Sequence, residues 1–491
     1  MRSLKLTLAL TFLAGTTAYA ETRHVATTGD DAAAGTAAAP WRSLQRAADA
    51  AAPGDTVIIH AGTYFGMVID RSGTEAAPIA FVGEGSPTID GAQSGNRDAI
   101  AIEGGNWIRI EGLNVIGATR AGIGALDCSH ITVKNNRIDN NGRWGVFSGF
   151  CDDLLVEGNE VSRSGTEHGI YASNSADRPV IRNNTIWGNA QCGVHLNGDV
   201  SYGGDGVISN AIVENNIIRD NGRSGGSGIN GDGLVGAMIR NNVLDNNHAS
   251  GISLYMIDGG APSTGNQVVN NTVRMAADAR WAVNIQDGSS GNIIRNNILL
   301  HLSASRGAID ICSTCTSAMQ SDHNAVTGKF SLDGTFIDLA AWRAQTGSDA
   351  ASFVATAAQL FTAPTTGDLS LRADSPAIDQ GMAPGAPETD ILGNARPQRG
   401  AVDIGAYEYC EGSMCATGGG GAGPGSPTDP DGDPDPGSDP GSDPDDGVHG
   451  PSTEAGGCAA GGSGAGGSGV GLIVGLGLLL SQKRRRDVGR S

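Results

Sequence analysis

Aromatic residues make up 4% of this 491-residue chain, while glycine occurs 76 times. So few large rings argue against a compact sandwich or barrel. They suit tight turns and thin layers, in a chain long enough for two ordinary domains or one elongated one. Basic residues are also short: 32 Lys and Arg face 52 Asp and Glu, a net charge of −20. That balance argues against nucleic acid as a partner. Part of the acid is local, since eight Asp fall between Asp429 and Asp446 in a Pro/Gly/Ser setting. The leucine framework of a leucine-rich repeat is missing, and the cysteines are too scattered for a zinc motif. The apolar run at 470–480 falls short of the ~20 residues of a membrane span.

What the chain does have is a period. HGIY at 168–171 returns as CGVH at 192–195, 24 residues later. A small residue followed by Ile or Val stands at 122–123, 145–146, 169–170, 193–194, 228–229, 251–252, 282–283 and 308–309. Asn recurs at Asn136, Asn159, Asn184, Asn216, Asn242, Asn271 and Asn297, and most steps are 23 to 26 residues. Short apolar-x-apolar strands, turn residues and no helical segment between them predict a parallel β-helix with one coil per repeat, the coils ~4.8 Å apart. The recurring Asn then serve as a stack of amides that satisfy one another inside a turn. A further column, Glu111, Lys134, Glu157, Arg182, Glu214 and Arg240, alternates in sign without a break. Stacked coils would set opposite charges side by side and favour in-register pairing, although each exposed pair contributes little. Cys128 and Cys151 each lie six residues beyond a column glycine, a placement on adjacent coils that a disulfide can span. Cys312/Cys315 and Cys410/Cys415 are local pairs able to close small loops, and Cys192 and Cys458 are left over.

Over roughly 22–330 these repeats resemble the right-handed parallel β-helix proteins of the pectin-lyase-like superfamily. The run TRHVATTGDDAAAGTAAAPWRSLQRAADAAAPGDTVIIHAGTY looks like that family's entry segment, in which an amphipathic helix, here about 43–51, covers the open end of the first coil. FIDLAAWRAQTG at 336–347 suggests a short helix. SPAIDQG, TDILGN and RGAVDIGAYEY within 375–409 resemble the choice-of-anchor Q region that follows β-helices in many surface proteins. At the start, Arg2 and Lys5, an apolar run and Ala18-Tyr19-Ala20 read as a secretory signal. Export makes disulfides possible. Residues 416–457 read as a flexible, solvated spacer, whose Asp run could bind Ca²⁺ weakly but lacks the EF-hand spacing. Cys458, glycines, a short apolar stretch and Lys483-Arg484-Arg485-Arg486 resemble the MYXO-CTERM sorting signal. That resemblance implies membrane retention, processing near the cysteine and display at the cell surface; a plain single-pass anchor is the simpler alternative. The expected order is a signal at 1–20, an all-β right-handed parallel β-helix at 21–330, a choice-of-anchor Q-like region at 331–409, a linker at 410–457 and a sorting or anchor segment at 458–491.

Within each coil the residue after the inward Ile or Val should face outward, as should the one two further on. The first outward column runs through Phe147, Tyr171, His195, Asn230, Ser253 and Asn284, and the second through Ser173, Asn197, Asp232 and Tyr255. The HGIY/CGVH echo therefore predicts Tyr171 and His195 as neighbours on one outer face. Asn and Asp are poor strand residues, and Tyr and His are both proton-transfer groups. The 35-residue step from Gly193 to Gly228 adds a loop, about 198–210, that should bring Asp199, Tyr202 and Asp205 near His195 and Asp232. The candidate catalytic set is Tyr171, His195, Asn230 and Asp232. The candidate substrate-binding set is His168, Ser173, Asn197, Asp199, Asp205, Tyr255 and Asn284. His168 either flanks the cleft or packs in a turn, and His248 reads as structural.

The resemblance implies an extended polysaccharide lying along the helix axis. Lyases and C5-epimerases of this superfamily need a base, a proton donor and a group to neutralise the uronate carboxylate, and many use Lys or Arg, often with Ca²⁺. This chain departs from that pattern, because Lys134 is the sole lysine between 22 and 328 and stands in the charge column. Tyr171 or His195 would have to be the base, with Asn230 or an arginine on the carboxylate. Three functions stay open for what is expected to be a monomer: a lyase or epimerase on a uronic-acid polymer, a hydrolase using Asp199, Asp205 and Asp232, or a non-catalytic glycan-binding or adhesion protein. The same Asp set can hold Ca²⁺. Fold alone does not choose between them.

Overall fold

The computed structural model describes residues 20–93 and 95–411. All but the last residue of the expected signal, most of the linker, the sorting segment, Cys415 and Cys458 lie outside the described residues. What is described is a right-handed parallel β-helix, all-β apart from a few short helices, and it forms part of one compact unit. Among the described residues, one wall is a 12-stranded parallel sheet from Thr63–Tyr64 to Phe353–Val354. The other two walls merge into a 23-stranded sheet, because the long strand Ala121–Lys134 runs through both. Strand after strand pairs in parallel with the coil above, in the register the repeats predict: Ile123 opposite Val146, Val146 opposite Ile170, Ile170 opposite Val194 and Val194 opposite Ile229. This column is fully buried. Each such side chain contributes about 1.5–3 kcal/mol by leaving water.

One turn explains both the Asn repeat and its spacing. Gly112, Asn135, Gly158, Asn183, Asn215, Asn241, Asn270 and Asn296 occupy the same slot with φ between 52° and 74°, the left-handed region that glycine and asparagine tolerate best. From Asn135 on, the residue that follows each is a ladder asparagine. Asn216 shows the pattern: its Nδ2 donates to Ile181 O (2.9 Å) and to Asn242 Oδ1 (3.0 Å). Its Oδ1 accepts from the backbone N–H and the Nδ2 of Asn184, both at 3.0 Å. The charge column stacks as read, with Glu157 between Lys134 (3.6 Å) and Arg182 (3.3 Å), and Arg240 on Glu214 at 2.8 Å.

The first coil is closed by the helix Leu44–Ala50, capped by Ser43, with Leu44, Ala47 and Ala48 in the core. At the far end parallel pairing continues past 330 to Phe353–Val354, opposite Ala325–Val326. The helix Leu339–Thr346 caps that end, its Trp342 stacked on Phe330 at 4.7 Å. Residues 356–409 then run back along the flank of the 12-stranded sheet, forming a second apolar cluster outside the tube with Val243, Ile298 and Leu300. Side chains of the turn slots hold this segment: Asn241 donates to Thr389 O, Asn270 to Asp403 O and Asn296 to Met382 O. Cys128–Cys151 and Cys312–Cys315 are disulfides. Cys410 is disulfide-bonded as well, and Cys192 is buried.

Candidate active site on the outward face

The outward columns stand in the expected register. Phe147, Tyr171, His195, Asn230, Ser253 and Asn284 are consecutive partners in adjacent coils, as are Ser173, Asn197, Asp232 and Tyr255. Trp144, Phe147 and Ala121 form an apolar cluster separate from the core, with Tyr171 against it, so this wall does face away from the tube. It is not the open polar strip that alternation implies. Phe147, His195, Asn230 and Ser253 are buried and Tyr171 is half-buried. The burial has local causes: Trp144 and Tyr171 pack on Phe147, and two loops meet over Asn197 and Asp232. One is the expected insertion after Asn197. The second, after Tyr255, enters with a 31-residue step from Gly251 to Ala282. They bond to each other through Val200 N to Asp258 O (3.0 Å) and Gly260 N to Gly206 O (2.6 Å).

Beneath them Tyr171 stacks on His195, ring centroids 5.0 Å apart and planes 20° apart. The Tyr171 hydroxyl accepts from Asn197 Nδ2 at 3.2 Å. His168, 2% exposed, meets His195 edge-on, its Nε2 3.0 Å from His195 Nδ1. Burial holds the His168 imidazole well below its usual range, and the nearby His195 and Arg143 push the same way. Glu167 ties the neighbouring coil in, accepting from Trp144 Nε1 (2.8 Å) and Arg143 Nε (2.6 Å). His168, Cys192 and His195 bring three ligand atoms within 4.8 Å of one another, a donor set suited to a soft or borderline metal. Against this, His168 Nδ1 already accepts the Cys192 backbone N–H at 3.3 Å. A metal on Nε2 would drive the ring proton onto Nδ1, against that donor.

The carboxylates separate by task. Asp232 accepts three backbone N–H groups, from Ile257, Asp258 and Gly259 at 2.9–3.0 Å, and so shapes the second loop. Asp199 caps the turn Val200–Tyr202 through Ser201 N and Oγ. Asp205 is exposed and accepts from Val207 N, in a local turn. Asp258, half-buried, was not singled out by the sequence. Its carboxyl is pushed up by burial and by the charges of Asp232 and Asp199, and Asn197 bonds to it. Asn230 is held on both ends, accepting from Ser227 Oγ and donating to the Tyr255 hydroxyl. Ser173 donates to Ser148 O, and Asn284 accepts from Gln286. His248 pairs with Asp278 at 2.9 Å, away from this group. The structure thus assembles Tyr171, His195, His168 and Asn197, with Asp199 and Asp232 close to Asp258. Asp205 stands apart on the loop surface. Sequence reasoning missed Asp258, Cys192 and Glu167; the step between Gly251 and Ala282 was the available signal for the first.

Fold and face together define a right-handed parallel β-helix protein with a covered aromatic and polar site on one wall. Residues 23–151 match a family described as "Pel9A-like, right handed beta helix region", and 98–273 one described as "Right handed beta helix region". "Uncharacterized protein YwoF" of Bacillus subtilis (strain 168) is 25% identical over 430 residues, covering 72% of this chain and 91% of that protein. The crystal structure of pectate lyase Pel9A matches with a TM-score of 0.56 and 18% identity, over 79% of this chain and 96% of that one. An alginate lyase from Paenibacillus sp. str. FPU-7 matches at TM-score 0.46 and 20% identity, over 59% of this chain and 97% of its own. These likenesses are of fold.

Proposed function

We propose that this chain is a surface-displayed, polysaccharide-active β-helix protein whose reaction is elimination at, or inversion of, C5 of a uronic-acid polymer. The observation that carries this reading is the Tyr171 hydroxyl, half-buried, oriented by Asn197, backed by His195 and overhung by the loop that holds Asp258. The shared fold with pectate lyase Pel9A supports it. In the proposed step Tyr171 acts as its phenolate, its own proton released to solvent beforehand, and takes the C5 proton. The electron pair of that C–H bond forms the C4–C5 double bond as the C4–O bond breaks. Asp258 keeps its proton to higher pH than an ordinary aspartate and protonates the departing oxygen. In epimerisation a second group delivers a proton to the opposite face of C5, Tyr171 keeps the one it took, and no bond to oxygen breaks. Hydrolysis by an acid pair fits less well, because Asp199 and Asp232 spend their oxygens on the backbone and on Ser201. Surface display rests on the signal-like start and the MYXO-CTERM-like end.

Glycan binding without turnover is the second reading, favoured by the contiguous rings of Trp144, Phe147 and Tyr171. The test is to incubate the full chain with alginate, pectate, glycosaminoglycans and neutral glycans, with and without Ca²⁺. Unsaturated-uronate absorbance, reducing ends and C5 inversion by NMR are followed together. A new unsaturated product or an inverted centre, abolished in Tyr171→Phe with His195→Ala, is the expected result. Turnover that survives this double substitution rejects the assignment of the face, and binding without turnover transfers the protein to the second reading.

A further inference from the structure

The hydrogen bonds around His168 fix which nitrogen of His195 carries its proton. A backbone N–H can only donate, and that of Cys192 points at His168 Nδ1 over 3.3 Å. That nitrogen is therefore bare, and the neutral His168 ring bears its proton on Nε2. Nε2 lies 3.0 Å from His195 Nδ1, so the proton is donated there and His195 Nδ1 is the acceptor. The ring proton of His195 then sits on Nε2. Coil stacking holds the geometry in place: Cys192 and His195 are three residues apart on one coil, and the pairing of Tyr171 with His195 sets the coil before it. Burial of His168 reinforces its neutral form.

We infer that His168 is a positioning residue that locks His195 in the Nε2–H tautomer, making His195 a hydrogen-bond donor and leaving Tyr171 as the proton acceptor of the site. The tautomer assignment stands on the hydrogen bonds alone. Its catalytic meaning rests on the uronate reading above. A bare Nε2 would make His195 a second base beside Tyr171, whereas an Nε2–H can only donate.

The chain has nine histidines, few enough for ring-¹⁵N-labelled histidine and two-bond proton–nitrogen correlation on the full chain. In neutral imidazole the bare and protonated nitrogens resonate far apart. The expected spectrum shows both His168 and His195 bare at Nδ1 and protonated at Nε2. His168→Leu removes the donor and should shift His195 toward a mixture of tautomers. His168→Gln, whose amide can donate to Nδ1, should restore the single form. If turnover is found, kcat should fall about 10²-fold in His168→Leu with KM nearly unchanged, and recover in His168→Gln. A proton on His195 Nδ1 in the unmodified protein overturns the inference. So does a Zn²⁺ titration that shifts both rings together and is abolished by Cys192→Ser, which would make the three side chains ligands. If His168→Leu does not fold, the unmodified spectrum still decides. If no glycan is turned over, the uronate reading fails while the tautomer test keeps its force.

Discussion

Replacing Asn216 with alanine tests what holds the coils in register. The side chain is fully buried and bonds to three residues on neighbouring coils, Ile181, Asn184 and Asn242. Removing it orphans the backbone N–H of Asn184 and takes away the amide bonds to Ile181 O, Asn184 and Asn242. At 1–3 kcal/mol for the orphaned N–H, plus the net worth of the lost amide bonds, the cost is about 3 kcal/mol. The matching control is Arg182→Ala in the charge column, a partly exposed pair with Glu157 worth at most about 1 kcal/mol. Urea unfolding gives the global loss. Amide exchange at Asn184 reports the local one, which is useful because a solenoid can open coil by coil. Asn216→Ala should destabilise several-fold more than Arg182→Ala and speed exchange at Asn184. Equal losses in the two variants, or an unchanged Asn184 amide, would refute the argument that buried amides dominate the stacking.

The Asp403 carboxyl, buried against Glu408, is pushed up to about 6. The folded chain therefore holds a proton that the unfolded chain releases near pH 4. The contribution of this one group to stability should be fully present below about pH 4 and fall by roughly 3 kcal/mol as pH rises to about 6. Asp403→Asn should flatten that slope in pH-dependent urea melts. Arg396 and Glu408 form a fully buried pair at 2.8 Å. Arg396→Met should cost about 3–5 kcal/mol by stranding the acid, seen as early proteolysis of 375–409. Opening the Cys128–Cys151 bridge, which joins residues 23 apart, should cost about 3 kcal/mol, measured as a lower urea midpoint of Cys128→Ala with Cys151→Ala. Tyr171→Phe should lower turnover 10²-fold or more while leaving the melting temperature within a few degrees.

A right-handed solenoid writes each coil's neighbours into the sequence at a fixed interval. The inward Ile and Val column, the Asn ladder, the alternating charges and the Cys128–Cys151 bridge could be read directly for that reason: each is a contact between residues one period apart. The helix over Leu44 to Ala50 was legible too, from the resemblance of the entry segment to that of the β-helix family. The pairing of Tyr171 with His195 belongs to the same class of information.

Contacts that skip the period were decided by the tertiary structure. The covering of the outward face depends on two loops meeting across coils, Val200 with Asp258 and Gly206 with Gly260. Asp232 was read as chemistry and serves the backbone of the second loop. Asn241, Asn270 and Asn296 look like any other turn residue, yet their amides hold a segment more than 80 residues away in the chain. Which way His168 points its proton follows from one backbone N–H in three dimensions. The sequence by itself determined the coil, its register and its inward and outward faces, because strand pairing and the left-handed turn act over one repeat. Burial and electrostatics at the site were decided only when distant loops closed over that face and fixed which polar groups water could still reach.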